Sequence, residues 1–164
     1  MPASPGPAAP ALTHLDPSGA ARMVDVSGKE VTARSAVAAA EVHTTPEVLA
    51  ALRRDGLPKG DALATARLAG IMGAKRTPDL IPLCHPITLH SVAVTLTPHD
   101  TGVAITATTR TADRTGVEME ALTAVATAGL ALIDMIKALD PAATLDAVRV
   151  LRKDGGATGP WTRP

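Results

Sequence analysis

The segment Val117 to Leu139 constrains the fold more than any other, because it is apolar nearly all the way round a helix. It predicts a long helix that follows Thr115-Gly116 and ends before Pro141, since proline cannot continue a helix. A helix that is apolar on all sides has to be buried on more than one side. Its longest apolar run, residues 121–133, is shorter than the roughly 20 residues needed to span a bilayer. We therefore predict a buried helix of a globular domain.

The core around this helix has to be built from small side chains. The chain contains no Phe or Tyr, and its only Trp, Trp161, lies near the C-terminus. Ala, Val, Leu, Ile and Met fill space only where backbones approach closely, which favours tight helix packing and burial between subunits. At 164 residues the chain fits one domain. We predict a disordered Pro/Ala-rich tail over residues 1–11, a single domain over 12–159 and a flexible C-terminus over 160–164.

Alternation of period two predicts the strands, and capping residues mark the helix starts. Thr45 followed by Pro46 begins a short helix that stops at Gly56, and Asp61 caps a second helix. The predicted strands are 31–42, a hairpin of 89–97 and 102–111, and 145–152. The order strand, two helices, two strands, helix and strand is typical of an α+β fold whose sheet carries helices on one face.

The helix that Asp61 caps has two glycines in its interior, Gly70 and Gly73. Each costs roughly 1 kcal/mol relative to Ala at such a position. Close approach of another backbone would account for them, so we predict a tight contact on this face.

The segment Thr77 to His90 carries prolines at positions 78, 82 and 86. Because proline removes a backbone donor and disfavours helix at the preceding residue, this spacing predicts a rigid loop without regular helix. The loop presents Cys84 and His85, which fit either a functional wall or a structural crossover with a buried thiol. A metal site lacks ligands, since there is one Cys and the other His are scattered. A cysteine nucleophile is disfavoured, because neighbours on an extended segment point to opposite sides.

Four small polar groups remain once the core positions are removed, and each has a structural alternative. Lys59-Gly60-Asp61 precedes a helix N-terminus, which binds anions, although a solvated lysine is the commoner case. Lys75-Arg76 and Glu118-Met119-Glu120 complement helix dipoles. Asp134 and Lys137 share a helix face, where they can exchange protons or form a surface ion pair.

Helix geometry separates the two ends of the long helix. Glu120 and Asp134 are fourteen residues apart, which corresponds to about 21 Å along the axis. They cannot both contact one small reacting centre from the same subunit. If both serve one site, either the ligand is long or two subunits contribute, and we predict a homo-oligomer with sites between subunits.

Charge and cysteine content exclude several classes of partner. Sixteen basic residues balance sixteen acidic ones, which leaves no net field to attract nucleic acid or an anionic membrane. One cysteine cannot form an internal disulfide, and the first residues have neither the charged nor the apolar region of a secretory leader. We expect a cytoplasmic protein that binds neither nucleic acid nor membranes.

Four ordered blocks carry a family resemblance: MVDVSGK at 23–29, KGDALATARLAGIMGAKRTPDLIPLCHP at 59–86, TGVEMEALTA at 115–124 and DMIKA at 134–138. They resemble the molybdenum cofactor biosynthesis protein C family, the cyclic pyranopterin monophosphate synthases, and the resemblance extends from about Leu12 to Gly159. It implies a ferredoxin-like antiparallel sheet. It also implies a homohexamer, a trimer of dimers, with the active site at the dimer interface.

The activity implied by the resemblance is that of a lyase. The substrate is the 3′,8-cyclo-7,8-dihydro form of GTP, and the products are cyclic pyranopterin monophosphate and pyrophosphate. This is an early step of molybdenum cofactor biosynthesis. No resident cofactor or metal is implied, and whether Mg²⁺ accompanies the triphosphate stays open.

Residue by residue, the resemblance implies three catalytic groups that transfer protons, Lys59, Asp134 and Lys137. The implied substrate-binding residues are Arg34, Lys75, Leu83, Cys84, His85, Glu118, Met119, Glu120 and Lys153. The three cations among these nine are expected to meet the triphosphate, and His85 to stabilise the departing pyrophosphate. Glu118 or Glu120 is expected to accept hydrogen bonds from N–H groups of the guanine-derived ring.

Two other functions fit the same residues. One is a carrier or sensor for a phosphorylated pterin, with the same pocket and no turnover. The other is a scaffold subunit that uses its Ala-rich helices for assembly.

Overall fold

The computed structural model describes residues 12–54 and 61–164. Residues 12–31 form an irregular arm with one isolated bridge between Leu15 and Ala21. The elements that follow are β1 (Thr32–His43), α1 (Pro46–Arg53), α2 (Ala62–Lys75), α3 (Thr77–Leu80), β2 (Leu89–Pro98), β3 (Gly102–Asp113), α4 (Glu118–Ile136), β4 (Thr144–Asp154) and β5 (Trp161–Thr162).

The strands form one antiparallel sheet in the spatial order β2-β3-β1-β4-β5. Helix α4 packs on β1, β3 and β4, and α2 packs on β2 and against α4. Each of the two long helices therefore connects strands that are separated by one intervening strand, which is the split βαβ arrangement. This confirms the prediction of an α+β, ferredoxin-like fold with an antiparallel sheet and helices on one face.

Small side chains build the core between the sheet and α4. Ala36, Ala38, Ala40 and Val42 alternate along β1 and are almost fully buried. They meet six buried side chains of α4, those of Ala121, Ala124, Val125, Ala128, Leu132 and Ile136. Among the described residues α4 alone is long and apolar enough to cross a membrane, but its packing against the sheet makes it the core helix that the sequence predicted.

The predicted tight contact at the glycines of α2 is confirmed, and α4 makes it. A Cβ added at Gly70 would lie 2.9 Å from the Ala124 carbonyl oxygen. A Cβ added at Gly73 would lie 2.7 Å from the Thr127 Cβ. Both distances are shorter than real Cβ contacts, so the glycines allow the two helices to approach this closely.

The predicted helix starts are also confirmed. Thr45 accepts a hydrogen bond from the Val48 N–H, and Asp61 accepts one from the Ala64 N–H at 2.8 Å. Helix α4 ends at Ile136, three residues earlier than Leu139, because the chain turns there to reach Asp140. The predicted tail 1–11, the stop at Gly56 and the residue Lys59 lie outside the described residues.

Two local predictions need correction. The proline segment was predicted to contain no helix, but its first four residues form α3, because Pro78 lies in the first turn, where its missing N–H costs nothing. The C-terminal residues 160–164 were predicted to be flexible, but they contain β5, which pairs with β4. The Arg163 N–H donates to the Leu151 carbonyl at 2.8 Å, so this end of the chain extends the sheet.

Candidate active site

A cleft of about 430 Å³ opens where the arm, the proline segment, the start of α4 and the end of β4 meet. It is lined by eight of the nine residues predicted to bind substrate. These are Arg34, Leu83, Cys84, His85, Glu118, Met119, Glu120 and Lys153. Because these eight residues come from four separate segments of the chain, it is the fold that brings them together.

The His85 ring is fixed by the backbone of the arm. Its Nε2 lies 2.7 Å from the Val24 carbonyl oxygen, and a carbonyl can only accept. Nε2 therefore carries the proton, and in the neutral ring Nδ1 is the acceptor. Nδ1 is therefore the ring atom that can accept a hydrogen bond from a ligand in the cleft.

Glu120 is the buried carboxyl of the cleft, with 3% of its surface exposed. Burial, with a smaller contribution from the charge of Glu118, raises the pKa of Glu120 to about 7. A carboxyl of this kind gains and loses a proton near neutral pH, as a general acid or base must.

The thiol of Cys84 lies beside this carboxyl. Burial raises the pKa of Cys84, and the charge of Glu120 raises it further. The thiolate is the nucleophilic form, so this environment makes Cys84 less reactive than a free cysteine. The residue lines the cleft as a small apolar group.

Two cations from neighbouring strands, Arg34 and Lys153, also line the cleft. Arg34 of β1 donates from Nε to the Asp113 carbonyl at 3.1 Å. Lys153 of β4 lies 3.3 Å from Glu118 Oε1 and donates to Thr158 Oγ1 at 3.2 Å. Two fixed cations in one cleft suit a phosphorylated ligand.

The predicted catalytic pair lies far from this cleft. Lys137 Nζ is 2.7 Å from Asp134 Oδ1 at the other end of α4, and about 60% of each side chain is exposed. Neither residue lines the cleft, and α4 separates Asp134 from Glu120 by fourteen residues, about 21 Å. Lys75, at the end of α2, also lies outside the cleft lining, and Lys59 is outside the described residues.

The sequence analysis missed several residues that line the cleft. The arm contributes Thr13, His14 and Lys29, and the residues after β4 contribute Gly156 and Thr158. Two adjacent glycines after a predicted strand were a usable signal for a turn that wraps a site. No local sequence pattern predicts that the arm packs at this cleft, because the arm contacts residues that are distant in the chain.

The fold and cleft together define a class of protein. A ferredoxin-like domain whose cleft combines two cations with a buried, neutral-range carboxyl is suited to proton chemistry on a small phosphorylated molecule. The chain belongs to the MoaC family, whose sequence profile matches residues 23–156.

Curated relatives named cyclic pyranopterin monophosphate synthase are similar over nearly the whole chain. The Streptomyces coelicolor protein is 63% identical over 152 residues, covering 93% of this chain and 89% of the relative. The Nocardioides sp. protein is 58% identical over 156 residues, covering 93% and 96%. The Rhodospirillum rubrum protein is 59% identical over 162 residues, covering 96% and 97%.

Proposed function

We propose that this protein is a cyclic pyranopterin monophosphate synthase, a lyase in an early step of molybdenum cofactor biosynthesis. It converts the 3′,8-cyclo-7,8-dihydro form of GTP to cyclic pyranopterin monophosphate and releases pyrophosphate. The observation that carries this proposal is the meeting of Arg34, Lys153, His85 and Glu120 in one cleft. High identity to relatives of that name supports it.

The two cations of the cleft bind the triphosphate. Arg34 offers a planar fork of donors to phosphate oxygens, and Lys153 offers a mobile point charge. As the cyclic phosphate closes, charge develops on the departing pyrophosphate, which these cations stabilise together with His85. Glu118, which pairs with Lys153 in the free protein, is released for the ring N–H groups of the substrate.

Ring opening and ring closure both need proton transfers. Glu120 exchanges a proton near neutral pH from inside the cleft. The Asp134 and Lys137 pair and Lys59 are assigned the remaining transfers. We propose that a partner subunit supplies Asp134 and Lys137 to the cleft, while the assignment of Lys59 follows from the family resemblance.

We further propose that the protein is a homohexamer, a trimer of dimers, with its active site between the subunits of a dimer. The support is that Asp134 and Lys137 lie far from the cleft of their own chain and are mostly exposed. Leu130, one helical turn before Asp134, is 61% exposed and offers an apolar contact on the same part of α4. When a partner subunit covers this face, Asp134 and Lys137 of one chain come to lie at the cleft of the partner.

Localisation and cofactor use complete the proposal. The single free thiol, Cys84, fits a reducing cytoplasm. We assign no resident cofactor to this chain. Turnover in excess EDTA tests whether Mg²⁺ enters with the triphosphate, whose oxygens are its preferred ligands.

The activity is tested by incubating the pure protein with the cyclised GTP and measuring pyrophosphate and the pterin product. We expect both products in equal amounts. Binding without turnover would instead indicate the carrier, and neither would indicate the scaffold. Lys59→Ala and Asp134→Ala are expected to abolish turnover while the assembly persists in size-exclusion chromatography.

Shared sites predict complementation between inactive variants. Lys153→Ala removes the cleft cation, and Asp134→Ala removes the group at the other end of α4. In a random one-to-one mixture of two-fold dimers, half are mixed and each mixed dimer has one intact site, so about a quarter of wild-type activity returns. A matched mixture of Lys153→Ala with Arg34→Ala, both in the cleft, stays inactive. No recovery in the first mixture would place the whole site in one chain.

A further inference from the structure

The chain makes an unusual turn directly after β4, over residues 155–158, which we call the glycine turn. Gly155 and Gly156 both have left-handed backbone, with φ of 86° and 83°. Such angles are unfavourable for residues with a Cβ. The turn lies over Arg34, and all four of its residues line the cleft.

Gly156 packs against the guanidinium of Arg34. A Cβ added at Gly156 would lie 2.6 Å from Arg34 Nη1, so only a glycine leaves the side chain in its present place. On its other side the guanidinium donates from Nε to the Asp113 carbonyl at 3.1 Å. Arg34 is therefore fixed at Nε by a hydrogen bond and confined at Nη1 by the backbone of Gly156, in a side chain that lines the cleft.

Thr158 holds the second cation. The Lys153 ammonium donates to Thr158 Oγ1 at 3.2 Å and pairs with Glu118 Oε1 at 3.3 Å. A lysine side chain is flexible, and each fixed partner reduces the freedom it loses when it binds a ligand. When a phosphate displaces Glu118, the hydroxyl still anchors the ammonium.

We propose that Gly156 and Thr158 are positioning residues that aim Arg34 and Lys153 at one phosphate group of the ligand. The proposal rests on the function proposed above, because it takes the ligand to be a triphosphate. In this proposal Gly156 and Thr158 do not touch the reacting atoms. Both act through the cations.

The hydroxyl of Thr158 is tested with a matched pair of variants. Thr158→Val keeps the shape and loses the acceptor, whereas Thr158→Ser keeps the acceptor. We expect Thr158→Val to weaken binding of inorganic pyrophosphate, measured by calorimetry at fixed salt, about three- to tenfold. KM rises by the same factor with kcat within about twofold, and Thr158→Ser restores both. Wild-type binding by Thr158→Val, or equal loss in both variants, would overturn the role of the hydroxyl.

Gly156 is tested against another glycine of the same backbone geometry. Gly19 has φ of 85°, lies in the arm, and has open space where its Cβ would be. Gly156→Ala and Gly19→Ala therefore introduce the same backbone strain, but only the first displaces Arg34. We expect Gly156→Ala alone to weaken pyrophosphate binding, by about tenfold. Equal binding by the two variants would overturn the proposal, and melting curves confirm that both fold.

The two proposals fail separately. Pyrophosphate binding that depends on Thr158 and Gly156, in a protein that does not turn over the cyclised GTP, sinks the proposed activity and keeps the positioning role. If instead the protein turns over the cyclised GTP, and Thr158→Val and Gly156→Ala both match the wild type in pyrophosphate binding and KM, the positioning role is overturned and the proposed activity stands. A wild-type protein that does not bind pyrophosphate overturns the positioning role outright.

Discussion

Replacing Glu120 with Gln removes a group whose proton affinity changes on folding. In the folded protein burial raises the pKa of Glu120 from its usual 4.5 to about 7. If the whole pKa difference is converted to free energy of unfolding, it corresponds to about 3 kcal/mol. We expect about 2 kcal/mol, because the carboxyl borders a cleft that water enters and screens.

The direction follows from which state holds the proton. Between pH 4.5 and 7 the unfolded chain has released this proton, and the folded protein still binds it. The wild-type free energy of unfolding therefore falls as pH rises through this range, and the full cost remains above pH 7. Glutamine does not titrate. The free energy of unfolding of Glu120→Gln, relative to that of the wild type, therefore increases by about 2 kcal/mol between pH 4.5 and 8.

Urea unfolding of the wild type and Glu120→Gln at about pH 4.5 and about pH 8, at one protein concentration, measures this change in relative stability. All other titrating groups are common to both proteins and cancel in the comparison. A carbon-13 titration of the Glu120 carboxyl gives the midpoint directly, expected near 7. A stability difference that is the same at both pH values, or a midpoint near 4.5, would refute the reasoning.

Three further changes test the packing and the cleft. Gly73→Ala forces a Cβ within 2.7 Å of the Thr127 Cβ, and should destabilise the protein by about 1–3 kcal/mol in urea unfolding. A gain of about 1 kcal/mol, the helix-propensity value, would contradict the close contact. Asp61→Ala removes the acceptor of the Ala64 N–H and should cost about 1 kcal/mol, with Asp61→Asn as the conservative control. Cys84→Ser should keep most turnover, since burial keeps the thiol protonated, and a tenfold loss of kcat would restore Cys84 to the chemistry.

The elements that the sequence predicted well are those with local signals. The hairpin of β2 and β3 follows from alternation on both sides of a short turn, and its register pairs Pro98 with Val103 as the turn demands. The helix caps Thr45 and Asp61 act within three residues of themselves. The distance between Asp134 and Glu120 was also predictable, because the rise per residue along a single helix is constant.

The parts that could not be predicted depend on contacts between distant residues. Val24 holds His85 across 61 positions of the chain, and no periodicity relates the two. Lys153 meets Glu118 because β4 lies beside β1 and below the start of α4, which is a property of the assembled sheet. Family resemblance named these residues, but only the fold shows which of them meet. The helical turn of α3 was missed because proline rules describe helix interiors better than first turns.

Trp161 gives the protein an optical reporter at a useful place. In a chain with no Tyr or Phe, all near-ultraviolet emission comes from this indole. Trp161 pairs with Lys153 across β4 and β5, and its ring lies 5.7 Å from the Arg163 guanidinium carbon. The fluorophore is therefore the strand neighbour of the cation that we expect to bind phosphate. We therefore expect occupancy of the cleft to change the emission intensity or wavelength of the unlabelled protein.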